Sequence, residues 1–294
     1  MNFTPDEMMF VCMARQIEDG EVVAQGLATP LVAAAYLLAR HTHAPNLYFL
    51  SAIGQGICRQ PAPIGLTRVE SLWLDRAITN VGFVRGVADV MPSLFPKEYF
   101  RPAQVDPHGN SNNIAFGNDY HHPRLRLPGT GGIPDVTTFL THICLYVPRH
   151  SRVTFVPKLD FHSGLGHNPA RTRGEGPSFL VTNLGVFDFA HDDSSANPKD
   201  SSISFHGSHT QLKRMRLVSY FPGVQISHIQ AKTGFDLLIK SDVHQTIPPT
   251  SEELRLLREE IDPLGIRRLE SLSGTKRREL LHEIIAIEAG SNHS

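Results

Sequence analysis

Residues 21–50 read EVVAQGLATPLVAAAYLLARHTHAPNLYFL, and this stretch decides the fold class. Two apolar runs, at 21–27 and 47–50, are typical of buried strands. Between them, Thr29 followed by Pro30 is a helix start signal, and the apolar residues after it predict a helix. A strand, a helix and a second strand with short connections form a βαβ unit, whose strands are parallel. The sequence therefore predicts an α/β fold with an open, mainly parallel sheet covered by helices.

The composition is that of an ordinary soluble domain. The chain has 294 residues, of which 40% are hydrophobic and 19% charged, and its formal net charge is −1. This near-neutral balance gives no electrostatic attraction to nucleic acid or to an anionic membrane. No apolar run reaches the roughly 18–20 residues of a membrane helix, and the first residues lack the basic start of a signal peptide. Three separated cysteines without CxxC spacing favour a reducing compartment. We therefore expect a cytoplasmic protein that binds neither nucleic acid nor membrane.

Capping signals predict helices near both ends of the chain. Thr4 and Glu7, and again Thr250 and Glu253, have the spacing of a capping box. A final amphipathic helix is predicted at 275–289, where apolar residues form one stripe. We expect one domain and a C-terminal helical extension, with the ranges 1–267 and 268–294.

The middle of the chain is less regular. The proline-rich residues 86–103 are predicted to be irregular, and residues 191–211 are predicted to form an exposed polar excursion. Strands are predicted at 152–157, 178–190 and 214–221, where β-branched and aromatic residues recur.

The stretch LPGTGGIPD, at 127–135, has the most chemical character. Gly129, Gly131 and Gly132 let backbone N–H groups crowd together, and a helix is predicted directly after them. Amides at a helix start favour an anion or a developing oxyanion. The same pattern also fits a purely structural turn, because it lacks the spacing of GxGxxG and the lysine of a Walker loop.

A second polar cluster, QVDPHGNSNN at 104–113, surrounds a predicted turn. Taken alone, Asp106 and Asn110 are expected to close that turn through side-chain-to-backbone hydrogen bonds. Sixteen histidines invite a metal interpretation, but none has HExxH or zinc-finger spacing, so no metal site is predicted. GxSxG is also missing, which excludes the nucleophile elbow of the α/β-hydrolases.

Taken together and in order, seven segments resemble the B (beta) subunit of the family I CoA-transferases, of the glutaconate CoA-transferase type. The segments are DGEVVAQGLATP, THAPNLYFLS, AQVDPHGNSN, PGTGGIPD, LVTNLGVFDF, TGFDL and PPTSEELRLLREEIDP. They cover most of residues 19–267, whereas 82–102, 191–211 and 268–294 match poorly and are treated as elaborations. The resemblance implies the CoA-transferase (NagB/RpiA-like) architecture. It also implies a homologous A (alpha) subunit, commonly in a heterotetramer, an acyl-CoA thioester as substrate, a catabolic role and no tightly bound cofactor.

The resemblance further implies roles for single residues. In transferring members, a glutamate after the strand equivalent to NLYFLS attacks the acyl-CoA carbonyl; here Ala52 stands at that position. Alanine cannot form an anhydride, and no Glu or Asp occurs between Asn46 and Arg68. The glycine turn at 129–132 would contribute amides to an oxyanion. The residues expected to contact the substrate or CoA are Ser51, Gly54, Gln104, Asp106, Asn110 and Asn112.

In lacking this glutamate, the sequence resembles one branch of the family, the hydrolase of bacterial steroid degradation that opens a ring on a CoA thioester. In that branch the resemblance implies a base from the A subunit. Hydrolysis or ring opening is therefore favoured over transfer of CoA between carboxylic acids. Two alternatives stay open: a non-catalytic stabilising or regulatory partner subunit, and an unrelated sugar-phosphate or nucleotide binder that shares the fold. The acyl group cannot be predicted from this chain, because the pocket would depend on the A subunit.

Overall fold

The structure is a computed structural model that describes residues 2–26, 29–52, 55–67, 69–192, 202–205 and 208–290. The chain forms two compact units, Met1–Tyr99 with Ile247–Ser294, and Phe100–Thr246. The expected boundary between 267 and 268 falls inside the first unit and stays a prediction.

The first part of the first unit contains the predicted βαβ arrangement. Its elements are α1 (Pro5–Ala14), β1 (Val22–Gln25), α2 (Pro30–Thr42), β2 (Tyr48–Ser51), β3 (Gly56–Cys58), α3 (Val69–Leu74), β4 (Ala77–Asn80), α4 (Phe83–Arg85), a π-helical turn (Gly86–Val90), α5 (Met91–Leu94) and β5 (Lys97–Phe100). The strand order is β5-β1-β2-β3-β4. Strand β1 is parallel to both β2 and β5, and the pairs β2/β3 and β3/β4 are antiparallel.

The second unit is built around a five-strand array. Its elements are β6 (Gln104–Val105), β7 (Ser111–Asn112), β8 (Ala115–Phe116), β9 (Leu125–Arg126), α6 (Ile133–Phe139), β10 (His142–Val147), β11 (Phe179–Thr182), β12 (Gly185–Ala190), β13 (Ser202–Phe205), β14 (Ser208–Gln211), β15 (Arg214–Tyr220), α7 (Ile226–Lys232) and β16 (Leu238–Gln245). The order is β10-β11-β12-β15-β16, with parallel pairs at both ends. The α/β class with an open, mixed and mainly parallel sheet is confirmed.

Residues 247–290 return to the first unit. They form α8 (Ser251–Arg255), a π-helical segment (Leu256–Ile261), a 3-10 helix (Ile266–Glu270) and α9 (Gly274–Gly290). Both predicted capping boxes are present, at Thr4 with Glu7 and at Thr250 with Glu253. Ile284 of α9 packs against Ile266. No helix in the described ranges is long and apolar enough to cross a membrane.

A buried ion network joins the two chain segments of the first unit. Arg267 lies 2.8 Å from Asp262 and 3.3 Å from Glu7, and Arg258 donates to Glu7 at 2.7 Å. Burial pushes the pKa of Glu7 upward, but the hydrogen bond and charge of Arg258 outweigh it and leave the pKa lowered. The lowered pKa keeps Glu7 ionised at neutral pH, and its bonds to Arg258 and Arg267 attach helix α1 to the segment after α8.

Three local predictions were wrong. Residues 152–157 form a turn with a single bridge at Phe155, because the amides of Thr154 and Phe155 both bond back to Ser151. Residues 178–190 form two antiparallel strands instead of one. Residues 86–103 are not irregular: they contain the π-helical turn, α5 and β5.

Candidate functional site

The glycine turn lies directly before α6, as predicted. Gly129 has φ of +117° and Gly131 has φ of +54°, a backbone region that favours glycine. A Cβ at either position would meet nothing within 4 Å, so the turn uses glycine for its conformation and not for close packing. Both residues are exposed within this chain. The geometry thus presents an open backbone surface, and the oxyanion role of Gly129, Gly131 and Gly132 stays a prediction.

Arg171 holds the far end of α6. Its guanidinium donates to the carbonyl oxygens of Thr137 and Leu140 from α6 and its end, to Leu165 at 3.2 Å and to Arg173 at 3.0 Å. Burial lowers the pKa of Arg171 to about 10, which still leaves it charged at neutral pH. Arg171 is therefore a positioning residue for the helix that follows the glycine turn, and it was not foreseen.

Asp106 and Asn110 close the turn between β6 and β7. The Asp106 carboxylate accepts from the backbone N–H groups of His108 at 2.9 Å and Asn110 at 3.0 Å, and from the Asn110 side chain at 2.8 Å. Burial raises the pKa of Asp106 against the opposing effect of these bonds. The Asn110 side-chain oxygen accepts in turn from the Gly166 amide at 2.9 Å. These are the turn-closing bonds that the sequence alone favours.

Gln104 and Asn112 are bonded to each other inside the same loop. Asn112 donates to Gln104 Oε1 at 2.7 Å and to the Ala115 carbonyl at 2.8 Å, and Gln104 also accepts from the Asp160 amide. Asn112 is fully buried. These side chains brace the loop, and their contact with a substrate stays a prediction, as it does for Asp106 and Asn110.

The end of β2 is buried beside the end of β1. Ser51, the last residue of β2, pairs with Gln25, the last residue of β1, and the Ala52 amide donates to the Gln25 carbonyl at 3.0 Å. Ser51 is 2% exposed. Gly54 lies outside the described residues. The strand therefore delivers Ser51 and Ala52 to the carboxyl edge of the parallel strands, where α/β proteins bind ligands.

A small cavity lies at this edge. Ser51, Ala52 and Gln25 line it from β1 and β2, and Glu98 lines it from β5. The poorly matching residues 82–102 supply its other wall, through Gly82, Phe83, Gly86, Val87 and Met91. Its volume is about 50 Å³, enough for a few water molecules. All of these lining residues belong to the first unit. One of them is Ala52, the position of the expected glutamate.

Glu98 is the carboxylate of this cavity, and sequence reasoning missed it. The residue pairs with Ala24 in the β1/β5 register and is 8% exposed. Burial raises the pKa of Glu98 to about 8. Glu98 Oε2 and Gln25 Oε1 are both buried without a hydrogen-bond partner among the described residues. The sequence signal for β5 is the apolar pair Tyr99-Phe100, which is too short to predict a strand.

No family model matches this sequence. The B subunit of glutaconate CoA-transferase from Acidaminococcus fermentans is 29% identical over 278 residues, covering 89% of this chain and 94% of the relative. The cholesterol ring-cleaving hydrolase IpdB subunit of Rhodococcus jostii is 31% identical over 257 residues, or 84% of this chain and 88% of that relative. The chain belongs to the CoA-transferase family, as a beta-type subunit.

A solved structure agrees with this assignment. The decarboxylase AibA/AibB superimposes with a TM-score of 0.71 and 29% identity, over 90% of this chain and 98% of the matched chain. The resemblance carried by the seven segments is thereby confirmed. The relatives are enzyme subunits named as transferases, hydrolases and a decarboxylase. Family membership therefore identifies this chain as part of an enzyme without choosing among these reactions.

Proposed function

We propose that this beta-type subunit works with a homologous A subunit, in a heterotetramer, to hydrolyse or ring-open an acyl-CoA thioester in catabolism. The observation that carries the proposal is Ala52 at the buried end of β2. A transferase needs a carboxylate there to form an anhydride, and residues 47–67 contain no Asp or Glu. Water then replaces the carboxylate as the nucleophile.

The size of the cavity supports the need for a partner. A volume of about 50 Å³ cannot hold an acyl-CoA thioester, because pockets for such ligands are typically about 300–1,000 Å³. The substrate therefore needs further surface, which the A subunit would provide. Relatives support this as well, since the AibA/AibB decarboxylase is named for two components.

Roles for the other residues follow from the proposal. The amides of Gly129, Gly131 and Gly132 would stabilise the oxyanion that forms when water adds to the thioester carbonyl. Such donors are each worth ~3–4 kcal/mol in acyl transfer. Asp106 and Asn110 would hold their loop in shape beside the substrate, together with Gln104 and Asn112. Ser51 and Gly54 would contact the thioester.

In the hydrolytic reaction, the oxygen of water bonds to the acyl carbon and the C–S bond breaks. The products are a carboxylic acid and the free thiol of CoA. No cofactor takes part in this hydrolysis. In ring opening, the oxygen of water bonds to a ring carbonyl carbon and the ring C–C bond next to it breaks. The released carbon then takes a proton.

The test is an assay of the purified A/B complex. The chain is co-expressed with an A-type subunit, and acyl-CoA thioesters are supplied with and without carboxylic acid acceptors. We expect acceptor-independent release of acid and free thiol, or of a ring-opened CoA thioester. Acceptor-dependent exchange, with a hydroxylamine-sensitive adduct on this chain, would contradict the proposal in favour of CoA transfer.

The non-catalytic alternative has its own signature. If this chain stabilises or regulates an active A subunit without contributing to the reaction, changes at the glycine turn and in the cavity would leave the turnover of the intact complex unchanged. A large loss of turnover in a correctly assembled complex would exclude that alternative.

A further inference from the structure

We infer that Glu98 is the catalytic acid–base residue of this chain, acting from β5 on a water molecule in the cavity beside Ala52. The inference rests on the proposed hydrolytic function and deepens it. It gives this chain a reactive carboxylate of its own, where the family resemblance implies one on the A subunit.

The position of β1 supports this role. Strand β1 lies between β2, which follows it in the chain, and β5, which comes later. Where the strand order changes direction in this way, a crevice opens at the carboxyl ends and binds ligands. Gln25 and Ser51 lie at those ends, and Glu98 lines the same cavity from β5. Residues from three neighbouring parallel strands thus line one cavity.

The surroundings of Glu98 differ from those of the structural carboxylates in the same unit. Glu7 and Asp262 are each paired with arginine. Glu98 Oε2 has no hydrogen-bond partner in the described part of the chain. A buried polar atom without a partner is costly, so its retention next to a cavity points to a ligand that completes its bonding. The cavity that Glu98 lines has room for a few water molecules.

The chemistry of Glu98 matches acid–base catalysis. Leu50, Val81 and Met91 of the cavity wall are apolar, and this burial raises the pKa of Glu98 to about 8. A proton-transfer group works best when its pKa lies near the working pH. Gln25 Oε1, which also lacks a partner among the described residues, can accept the second hydrogen of the same water. Two acceptors would therefore orient one nucleophile.

The step can be written in full. Glu98 takes a proton from water while the water oxygen bonds to the acyl carbon, and the thioester C=O becomes an oxyanion. The oxyanion collapses, the C–S bond breaks, and Glu98 gives its proton to the departing sulfur. The products are the carboxylic acid and the free thiol, and Glu98 returns to its starting form.

The experiment compares Glu98→Gln with the matched control Glu18→Gln, an exposed glutamate of the same unit. Both are made in the A/B complex and assayed by thiol release across a range of pH. In the wild type, kcat/KM is expected to rise with pH through an apparent pKa near 8. E98Q is expected to lose roughly 10²–10⁴-fold in kcat and to lack that pH dependence, with KM nearly unchanged. E18Q should match the wild type.

A second variant separates chemistry from folding. Glu98→Ala opens space in the cavity, so added formate is expected to restore part of the lost activity, whereas formate should not stimulate E18Q. E98Q that hydrolyses with wild-type kcat and an unchanged pH profile would overturn the inference and leave the proposed function intact. A wild-type complex without hydrolytic activity would overturn the proposed function and this role with it.

Discussion

Ala52 and Glu98 line the same cavity, one just after β2 and the other on β5. The family resemblance places a nucleophilic glutamate at Ala52. The carboxylate of this cavity instead comes from the opposite side of β1. For this reason we assign Glu98 proton transfer through water and not direct attack on the acyl carbon.

Introducing the missing carboxylate tests this arrangement. The variant Ala52→Glu is expected to gain acceptor-dependent CoA exchange and a hydroxylamine-sensitive adduct on this chain, because a nucleophile then stands at the family position. Exchange is measured with a labelled acceptor acid in the A/B complex.

The neighbouring variant Ser51→Glu is the control for this prediction. It places the same group one residue away and is expected not to support exchange. If S51E exchanges CoA and A52E does not, the family glutamate aligns with Ser51 instead of Ala52.

Glu98 makes the stability of the protein depend on pH. Its pKa in the folded chain is about 8, above the ordinary value of 4.5. The folded state therefore holds the proton more tightly than the unfolded state, so this contribution is fully present below about pH 4.5. It decreases as the pH rises through 8, by about 1.4 kcal/mol per pH unit at most. Thermal unfolding of the full chain at pH 6 and pH 9 measures the effect.

The variant E98Q has no titrating group at position 98, so its stability should not show this decrease with pH. Between pH 6 and 9 the wild type is expected to lose about 2–3 kcal/mol more stability than E98Q. Parallel pH profiles for the two proteins would show that Glu98 is not held protonated by burial.

The glycine turn gives a further prediction. Gly131→Ala forces a side chain into the left-handed backbone region and is expected to move the turn amides, so kcat of the complex should fall by about 10²-fold or more. KM should change much less. The measurement is steady-state hydrolysis by the assembled complex.

Gly223→Ala is the matched control for the turn. Gly223 also has positive φ and open space around its Cβ position, so the backbone strain is similar. It lies outside the glycine turn, and G223A is expected to keep wild-type kcat. Equal effects of the two substitutions would assign the loss to general strain and not to an oxyanion role.

Arg171 is expected to stabilise helix α6, which follows the glycine turn. Arg171→Met removes the donors to carbonyls at the end of α6, and the free energy of unfolding should fall by about 2–4 kcal/mol. Amide exchange at 133–140 should become faster. The exposed Arg152, changed to Met, should show neither effect. Unchanged exchange in R171M would mean that α6 does not depend on the guanidinium.

Local signals explain which parts of the fold were predictable. The βαβ unit and both capping boxes depend on residues close together in sequence, and they form as predicted. The turn at Asp106 and Asn110 is local in the same sense. By contrast, β5 has four residues between Pro96 and Pro102, and its pairing partner β1 lies far away in sequence.

The site was predictable in the same uneven way. The resemblance identified the end of β2 and the glycine turn, because both carry motifs. Glu98 carries no motif, and its chemistry depends on burial and on the lack of a hydrogen-bond partner among the described residues. Both properties depend on residues of β1 and β2, which are distant from Glu98 in sequence and meet it only in the folded chain.

The ion network of Glu7, Arg258 and Arg267 has a consequence for protein synthesis. Residues 1–99 leave the ribosome before the arginines that neutralise Glu7 exist. The second unit, by contrast, is one continuous stretch from 100 to 246, so its chain is complete earlier. Domains usually fold in the order in which they are made. Here the unit whose synthesis starts first cannot complete its ion network until the segment after residue 246 has been made.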